Sequence, residues 1–283
     1  MDFEHRDPGR RRGRSDIVDF GRSVEAITLD FGNTLVAFPG AVMREVVRVV
    51  AARAEDVWRF PADEFVRVWG EERLRQLAED VPEGREADMP VRAARVLARL
   101  RGLTIPPLGR CWDDAAVADC SNQREIEILL DAYADAFVRL TPVPPKIGPL
   151  LAVLARDHVL AILSNWPLAV AVDRYVEHAG WSRHLSAVVI SQRVGAIKPR
   201  PEIFRAAARE MAVTSERRVL HVGDDLGADV GGAHGVGWWA AWIRNRPEDS
   251  TLPVAPATGE ERPDFTIDRV TDLPKALGLH RRA

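Results

Sequence analysis

Four acids, a lysine and a serine are placed along this chain where they can do chemistry together. Asp30 ends the apolar run Ala26-Ile27-Thr28-Leu29 and is followed by the small-residue turn Gly32-Asn33-Thr34. Ser164 closes "VLAIL", with Asn165 and Trp166 after it, and Lys198 lies in "GAIKPRPEIF". Asp224, Asp225 and Asp229 lie in "HVGDDLGAD". One nucleophilic carboxylate, one hydroxyl, one ammonium and an acid cluster form a set suited to phosphoryl transfer. The acids can hold a hard cation such as Mg²⁺, which takes oxygen ligands in near-octahedral geometry. That cation reduces repulsion between the Asp30 carboxylate and an anionic phosphate. Lys198 and the Ser164 hydroxyl can stabilise equatorial phosphoryl oxygens. Asp30 can then attack phosphorus and form an aspartyl-phosphate. Catalytic carboxylates often come in pairs, yet two residues after Asp30, where a partner could share the turn, stands Gly32.

The elements that must position these groups follow from hydrophobic spacing. Residues 25–31 read as a buried strand. Helical spacing then runs through 41–55, through 62–79 with Phe65, Val68, Trp69, Leu74 and Leu77 as its apolar stripe, through "VRAARVLARL" after Pro90, and through 122–140. "TPVPP" at 141–145 breaks the pattern. Beyond it strands and helices alternate: a helix at 147–156, then "HVLAILSN", a helix at 168–179, "AVVISQ", "PEIFRAAAREM", "RVLHVGDD", a short helix, "GWWAAWI" and "DFTI". Alternation of this kind predicts an α/β fold with a doubly wound parallel sheet. Ligands sit at the carboxyl ends of the strands in such sheets, where Asp30, Ser164 and Asp224 lie.

Composition bounds the rest. The chain has 283 residues, 46% hydrophobic and 29% charged, as a globular enzyme does. A net charge of −3 gives no reason to expect a nucleic-acid surface, and no apolar run reaches membrane-spanning length. Cys111 and Cys120 lack zinc-finger spacing, so free thiols in a reducing cytoplasm are expected. The segment "MDFEHRDPGRRRGRSD" is polar and Arg-rich and reads as a solvated tail, with the fold beginning near Val24.

In their order, "LDFGNTL", "ILSN", "IKPRPEIF" and "HVGDDLGADVGGAHGVG" resemble the four motifs of the haloacid dehalogenase-like hydrolase superfamily. The resemblance covers residues 24–37 and 143–280, and it implies a Rossmann-like core formed by 24–37 and 143–283, with 38–142 as an inserted helical cap and 1–23 as the tail. Residue by residue it implies Asp30 as nucleophile, Ser164 and Lys198 as phosphate ligands, and Asp224 as metal ligand. It further implies that the Gly32 carbonyl coordinates the metal and that Asp229 supports the metal shell. Thr34, Asn165 and Trp166 are candidate substrate contacts. The expected cofactor is Mg²⁺, and the expected partner is a small phosphorylated metabolite met by a monomer or homodimer.

Gly32 departs from the pattern of most phosphatases in the superfamily, which carry there a second Asp that protonates the leaving alcohol and later activates water. The 2-haloacid dehalogenases also lack it, because halide leaves without a proton, so dehalogenation is a rival reading. The acid cluster argues for the phosphatase, since Asp224 and Asp229 repel a carboxylate substrate unless a cation neutralises them. A third reading is a phosphate-binding or regulatory module weakened in catalysis. Among neighbouring residues, Asp225 reads as a turn or N-cap residue, and His221 as a buried neutral side chain. Trp238, Trp239 and Trp242 read as core or subunit contact. Arg44, Trp69, Arg73 and Arg92 are cap residues placed to reach inward.

Overall fold

The computed structural model describes residues 20–279 except 22, 108, 110–114, 214, 216–217 and 245. The Arg-rich amino-terminal stretch through residue 19 and Cys111 therefore lie outside the described residues. Six parallel strands form one sheet in the order β3-β2-β1-β4-β5-β6. These are β1 (Ala26–Leu29), β2 (Val159–Ser164), β3 (Ala187–Ile190), β4 (Val219–Gly223), β5 (Trp239–Ile243) and β6 (Phe265–Ile267). β1 is central, with Leu29 opposite Ile162 on one side and Val222 on the other. Every β1 residue is buried, as expected for a parallel strand covered on both faces. The strand order reverses between β1 and β4, which puts a crevice at the carboxyl ends of β1, β2 and β4. The folded region starts before Val24: Phe20 is buried and its ring lies 4.6 Å from that of Trp239.

Between β1 and β2 the chain forms a helical region consistent with a cap: α1 (Gly40–Trp58), α2 (Ala62–Glu79), α3 (Met89–Leu100) and α4 (Gln123–Leu140). Asn122 starts α4 with a capping box, its side chain accepting from the Glu125 N–H at 3.0 Å. Pro90 sits in the first turn of α3, where its missing N–H costs nothing. The core helices are α5 (Ile147–Leu154), α6 (Ala169–His178) and α7 (Pro201–Glu210). A ring cluster joins the two regions: Phe137 of α4 lies 5.5 Å from Phe38, 5.4 Å from Trp166 and 5.9 Å from Tyr175 of α6.

Of the apolar stripe expected on α2, Phe65, Val68 and Trp69 are buried as read, but the carboxyl-terminal half of the helix departs from it. Leu74 is 64% exposed, whereas Glu72 and Gln76 are buried. The cause is α3, which turns Arg92, Arg95 and Arg99 towards α2. Arg95 Nε donates to Glu72 Oε2 at 2.5 Å and Arg99 Nη1 to Glu72 Oε1 at 2.9 Å. Arg92 Nε donates to Gln76 Oε1 at 2.8 Å. A buried carboxylate held by two guanidinium groups overrides a face chosen by hydrophobicity alone.

Candidate active site

Asp30 leaves β1 with its N–H still donating to the Val222 carbonyl of β4 at 2.9 Å, so the ladder fixes its position one residue past the strand. Its Oδ1 accepts from Ser164 Oγ at 2.9 Å and from Lys198 Nζ at 2.8 Å. Its Oδ2 accepts no hydrogen bond among the described residues. Lys198 is buried, and its ammonium also donates to the Leu163 carbonyl at 2.9 Å and to Asp229 Oδ1 at 2.7 Å. All three ammonium protons are thus committed. Asn165 sets the lysine backbone: Nδ2 donates to the Lys198 carbonyl at 3.0 Å, and Oδ1 accepts from the Lys198 N–H at 2.7 Å.

Asp229 belongs to the wide helical turn Leu226–Gly231 after β4. Its Oδ1 also accepts from His221 Nε2 at 3.0 Å, and its Oδ2 from the Asp225 N–H at 2.8 Å. A carboxylate accepts only, so His221 must carry its proton on Nε2, and Nδ1 accepts from the Thr28 hydroxyl at 2.8 Å. Burial, followed by the Lys198 charge, holds the imidazole below its ordinary pKa, so it is neutral as read from the sequence. Gly223 is required beside this carboxylate, because a Cβ there would lie 2.1 Å from Asp229 Cγ.

The carboxylates of Asp30, Asp224 and Asp229 each offer an oxygen within 4.8 Å of the others. Burial, then the Asp30 and Asp229 charges, push Asp224 up to about 8, against the pull of Arg246. Burial and the Asp229 charge likewise raise Asp30, although Lys198 opposes them. Asp229 is held well below the carboxylate range: burial opposes ionisation there, but Lys198 and His221 outweigh it. Burial would lower Lys198, yet the Asp229 and Asp30 charges raise it, so it stays an ammonium.

Asp225 is the N-cap of the wide turn, as its position suggested. Its Oδ1 accepts from the Ala228 N–H at 2.9 Å, and its Oδ2 accepts from the Ala255 N–H at 2.8 Å. That second bond anchors the loop after β5. Arg246 Nη1 donates to Asp224 Oδ2 at 2.8 Å, and its Nη2 donates to the Leu252 carbonyl at 2.6 Å. Leu252 occupies the space over Gly32: a Cβ at 32 would meet Leu252 Cδ1 at 2.7 Å and Trp166 Cζ3 at 3.4 Å. An apolar side chain from a distant loop therefore stands where a second acid could project.

Ser164, Lys198, Asp224 and Asp229 surround Asp30 and, with Gly32, Asn165 and Trp166, line one cavity of about 390 Å³. Trp166 is buried within the ring cluster as well. Thr34 stands apart: it is buried, its hydroxyl has no partner among the described residues, and it does not line the cavity. Trp242 is more than a packing residue, since its Nε1 donates to the Asp224 carbonyl at 3.0 Å. Arg246 and Leu252 carried no local signal, because each is recruited from the loop after β5; Thr28 lies within β1 and meets His221 of the neighbouring strand. From the insertion, Trp69, Arg92 and Tyr133 close the cavity.

The model of haloacid dehalogenase-like hydrolases matches residues 24–237. A glyceraldehyde 3-phosphate phosphatase of Methanopyrus kandleri is 34% identical over 143 residues, which are 50% of this chain and 59% of that protein. The chain thus spans somewhat over half the length of that curated relative. The crystal structure of a 2-haloacid dehalogenase from Pseudomonas syringae pv. Tomato DC3000 is similar with a TM-score of 0.59 at 20% identity, covering 90% of this chain and 98% of that one. An HAD phosphatase from Thermococcus onnurineus has a TM-score of 0.58 at 22% identity, covering 91% and 100%. These two structures share the fold. The strand-end residues converge on Asp30, and the family model matches both core segments and the insertion between them: the chain belongs to the haloacid dehalogenase-like hydrolases.

Proposed function

We propose that the chain is a Mg²⁺-dependent phosphatase that hydrolyses a small phosphorylated metabolite through an aspartyl-phosphate on Asp30. The observation that carries this reading is the trio of carboxylates within 4.8 Å of one another beside a committed ammonium. The donor set fits a hard cation. Asp224 Oδ1 and the Gly32 carbonyl accept no hydrogen bond among the described residues, and every candidate donor is oxygen. Asp30, Asp224 and the Gly32 carbonyl would hold the ion. Asp229, with Oδ1 accepting twice and Oδ2 once, would support the shell. When bound, Mg²⁺ supplies the positive charge that lets a phosphate dianion approach these acids.

The chain's own groups then divide the work. Ser164 and Lys198 hold Asp30 Oδ1, which leaves Oδ2 to attack phosphorus. Their donors turn to the phosphoryl oxygens as negative charge moves onto these. Asn165 keeps Lys198 in place as this happens. Gly32 supplies no proton, so the leaving oxygen departs as an anion or takes a proton from another donor. Carbon–halogen hydrolysis is the competing reading, favoured by Gly32 alone. The test is phosphate release from a panel of phosphorylated sugars, nucleotides and small acids with Mg²⁺, run beside halide release from 2-haloacids without metal. Phosphate release that EDTA abolishes reversibly is expected. Full activity in EDTA, or halide release alone, overturns the reading.

A further inference from the structure

The arginine stripe of α3 contains an asymmetry. Arg95 and Arg99 share the buried carboxylate of Glu72. One turn further along α2 the matching position is Gln76, a neutral amide, and it faces Arg92. Arg92 is 3% exposed, and its other partner is also neutral, the Ala87 carbonyl, which accepts from Nη2 at 3.2 Å. Among the described residues no carboxylate lies within 4 Å of this guanidinium. Buried charges are ordinarily paired, because leaving one unpaired forfeits its hydration without return.

Arg92 lines the same cavity as Asp30 and Lys198. The Trp69 ring lies beneath it, with the guanidinium carbon 5.7 Å from the ring centre. Tyr133 stacks on Trp69 with centroids 6.4 Å apart. Tyr133 also lines the cavity, and its hydroxyl makes no hydrogen bond among the described residues. Burial pushes this phenol up to about 12, so it is a neutral O–H donor. Gln76 is oriented from both ends, its Nε2 donating to the Asp88 carbonyl at 2.9 Å. Its oxygen therefore faces Arg92 and holds the Nε side of the fork without neutralising it.

We infer that Arg92 and the Tyr133 hydroxyl bind a second anionic group of the substrate, a carboxylate or a further phosphate, opposite the phosphoryl group held at Asp30. This rests on the phosphatase reading and narrows it to phosphomonoesters that carry another acid. Glu86 and Asp88 act on Arg92 through space but make no ion pair with it, so the acid of the substrate supplies the direct partner that the guanidinium lacks. The apolar wall of Trp69 and Leu252 accommodates the carbon frame between the two anionic ends.

The experiment measures kcat/KM with Mg²⁺ for aryl phosphates, whose leaving groups need no general acid, carrying an ω-carboxyalkyl chain of increasing length, each against its neutral carboxamide, and for the corresponding bisphosphates. At the length that spans the cavity, the acid is expected to exceed the amide by about tenfold to a hundredfold, chiefly in KM, as a charge-assisted hydrogen bond gives. The carboxylate and bisphosphate arms separate the two sources of charge. Arg92→Gln should collapse the acid-to-amide ratio towards unity. Gln76→Glu offers Arg92 an internal counter-ion, as Glu72 does for Arg95, and should collapse the same ratio without removing the guanidinium. Because a ratio is read, partial loss of folded protein in either variant does not imitate the result. Hydrolysis of the neutral esters with no preference for an acid at any length overturns the Arg92 assignment alone. A preference that survives both substitutions does the same. No hydrolysis of any member overturns the phosphatase reading along with it.

Discussion

Gly32→Asp restores a carboxyl two residues after the nucleophile, and the structure says what it meets. The new Cβ would lie 2.7 Å from Leu252 Cδ1, the far end of a flexible side chain. Overpacking of this kind costs about 1–3 kcal/mol, so the single variant should be destabilised, and Gly32→Asp/Leu252→Ala should recover most of the loss. Its Cβ would face Leu252, Trp166 and Phe38, apolar surroundings that favour the protonated form of a carboxyl. A positioned general acid contributes about 10²–10⁴-fold, or roughly 3–5 kcal/mol at about 1.36 kcal/mol per decade. That deficit falls hardest on alkyl phosphates and least on aryl phosphates and sugar 1-phosphates, whose leaving groups are better. The assay is kcat/KM across monoesters of graded leaving-group pKa, with single-turnover kinetics to show that chemistry limits the rate. The wild type should show a steep dependence and the double variant a shallow one. A flat wild-type series, or a folded double variant as steep as the wild type, refutes the idea that the vacancy at position 32 sets the barrier.

Asp30→Asn should lower turnover by several orders of magnitude, and retention of more than about a tenth of activity removes Asp30 from the reaction. Asp224→Ala should weaken Mg²⁺ binding by at least about tenfold in calorimetric titration. Asp225→Ala should instead lose about 1 kcal/mol of stability through its cap, with little change in Mg²⁺ affinity. In denaturant titrations Glu72→Gln should cost about 3–5 kcal/mol, because it strands Arg95 and Arg99, while Leu74→Lys should stay within about 0.5 kcal/mol. Burial, then the Glu86 charge, push Asp88 up to about 7, above its unfolded value of about 3.9. The folded state therefore binds the extra proton between these values, and stability falls as pH rises through that window. Asp88→Asn should gain melting temperature over the wild type above pH about 7 and lose that advantage towards pH about 4.

The strands were legible because a parallel strand buried on both faces is a continuous apolar run, and Asp30, Ser164 and Asp224 interrupt such runs at their ends. Asp225 as a cap and His221 as a neutral buried ring were legible too, since turn chemistry and strand position are local. The face of α2 was legible at Phe65, Val68 and Trp69 but not beyond them. Its burial is decided by Arg92, Arg95 and Arg99, residues of another helix, and a stripe drawn from hydrophobicity cannot know that Glu72 has partners. The loop after β5 reads as a polar, Pro-containing connection, but its role depends on contacts across some two hundred positions of sequence. Asn33 to Ser250 and Gly32 to Leu252 have no local signature. Trp242, which read as core or subunit contact, holds the Asp224 carbonyl for the same non-local reason.

That loop also governs access. The chain leaves the core for the helical region at Gly40, whose N–H donates to the Asp249 carbonyl at 3.2 Å. Asn33 Nδ2 donates to Ser250 Oγ at 3.0 Å, and Arg73 of α2 to the Thr251 carbonyl at 2.6 Å. Drawing the helical region away from the loop breaks the Gly40 and Arg73 bonds, each worth about 0.5–1.5 kcal/mol, and strains the packing of Phe137 against Trp166 and Tyr175. The parted arrangement is then a minor state, on the order of a few per cent or less. A reactant that passes the existing mouth enters at its encounter rate, whereas a bulkier one is slowed in proportion to that population. Size exclusion at this mouth is thus a matter of arrival rate, set by contacts away from the reacting atoms.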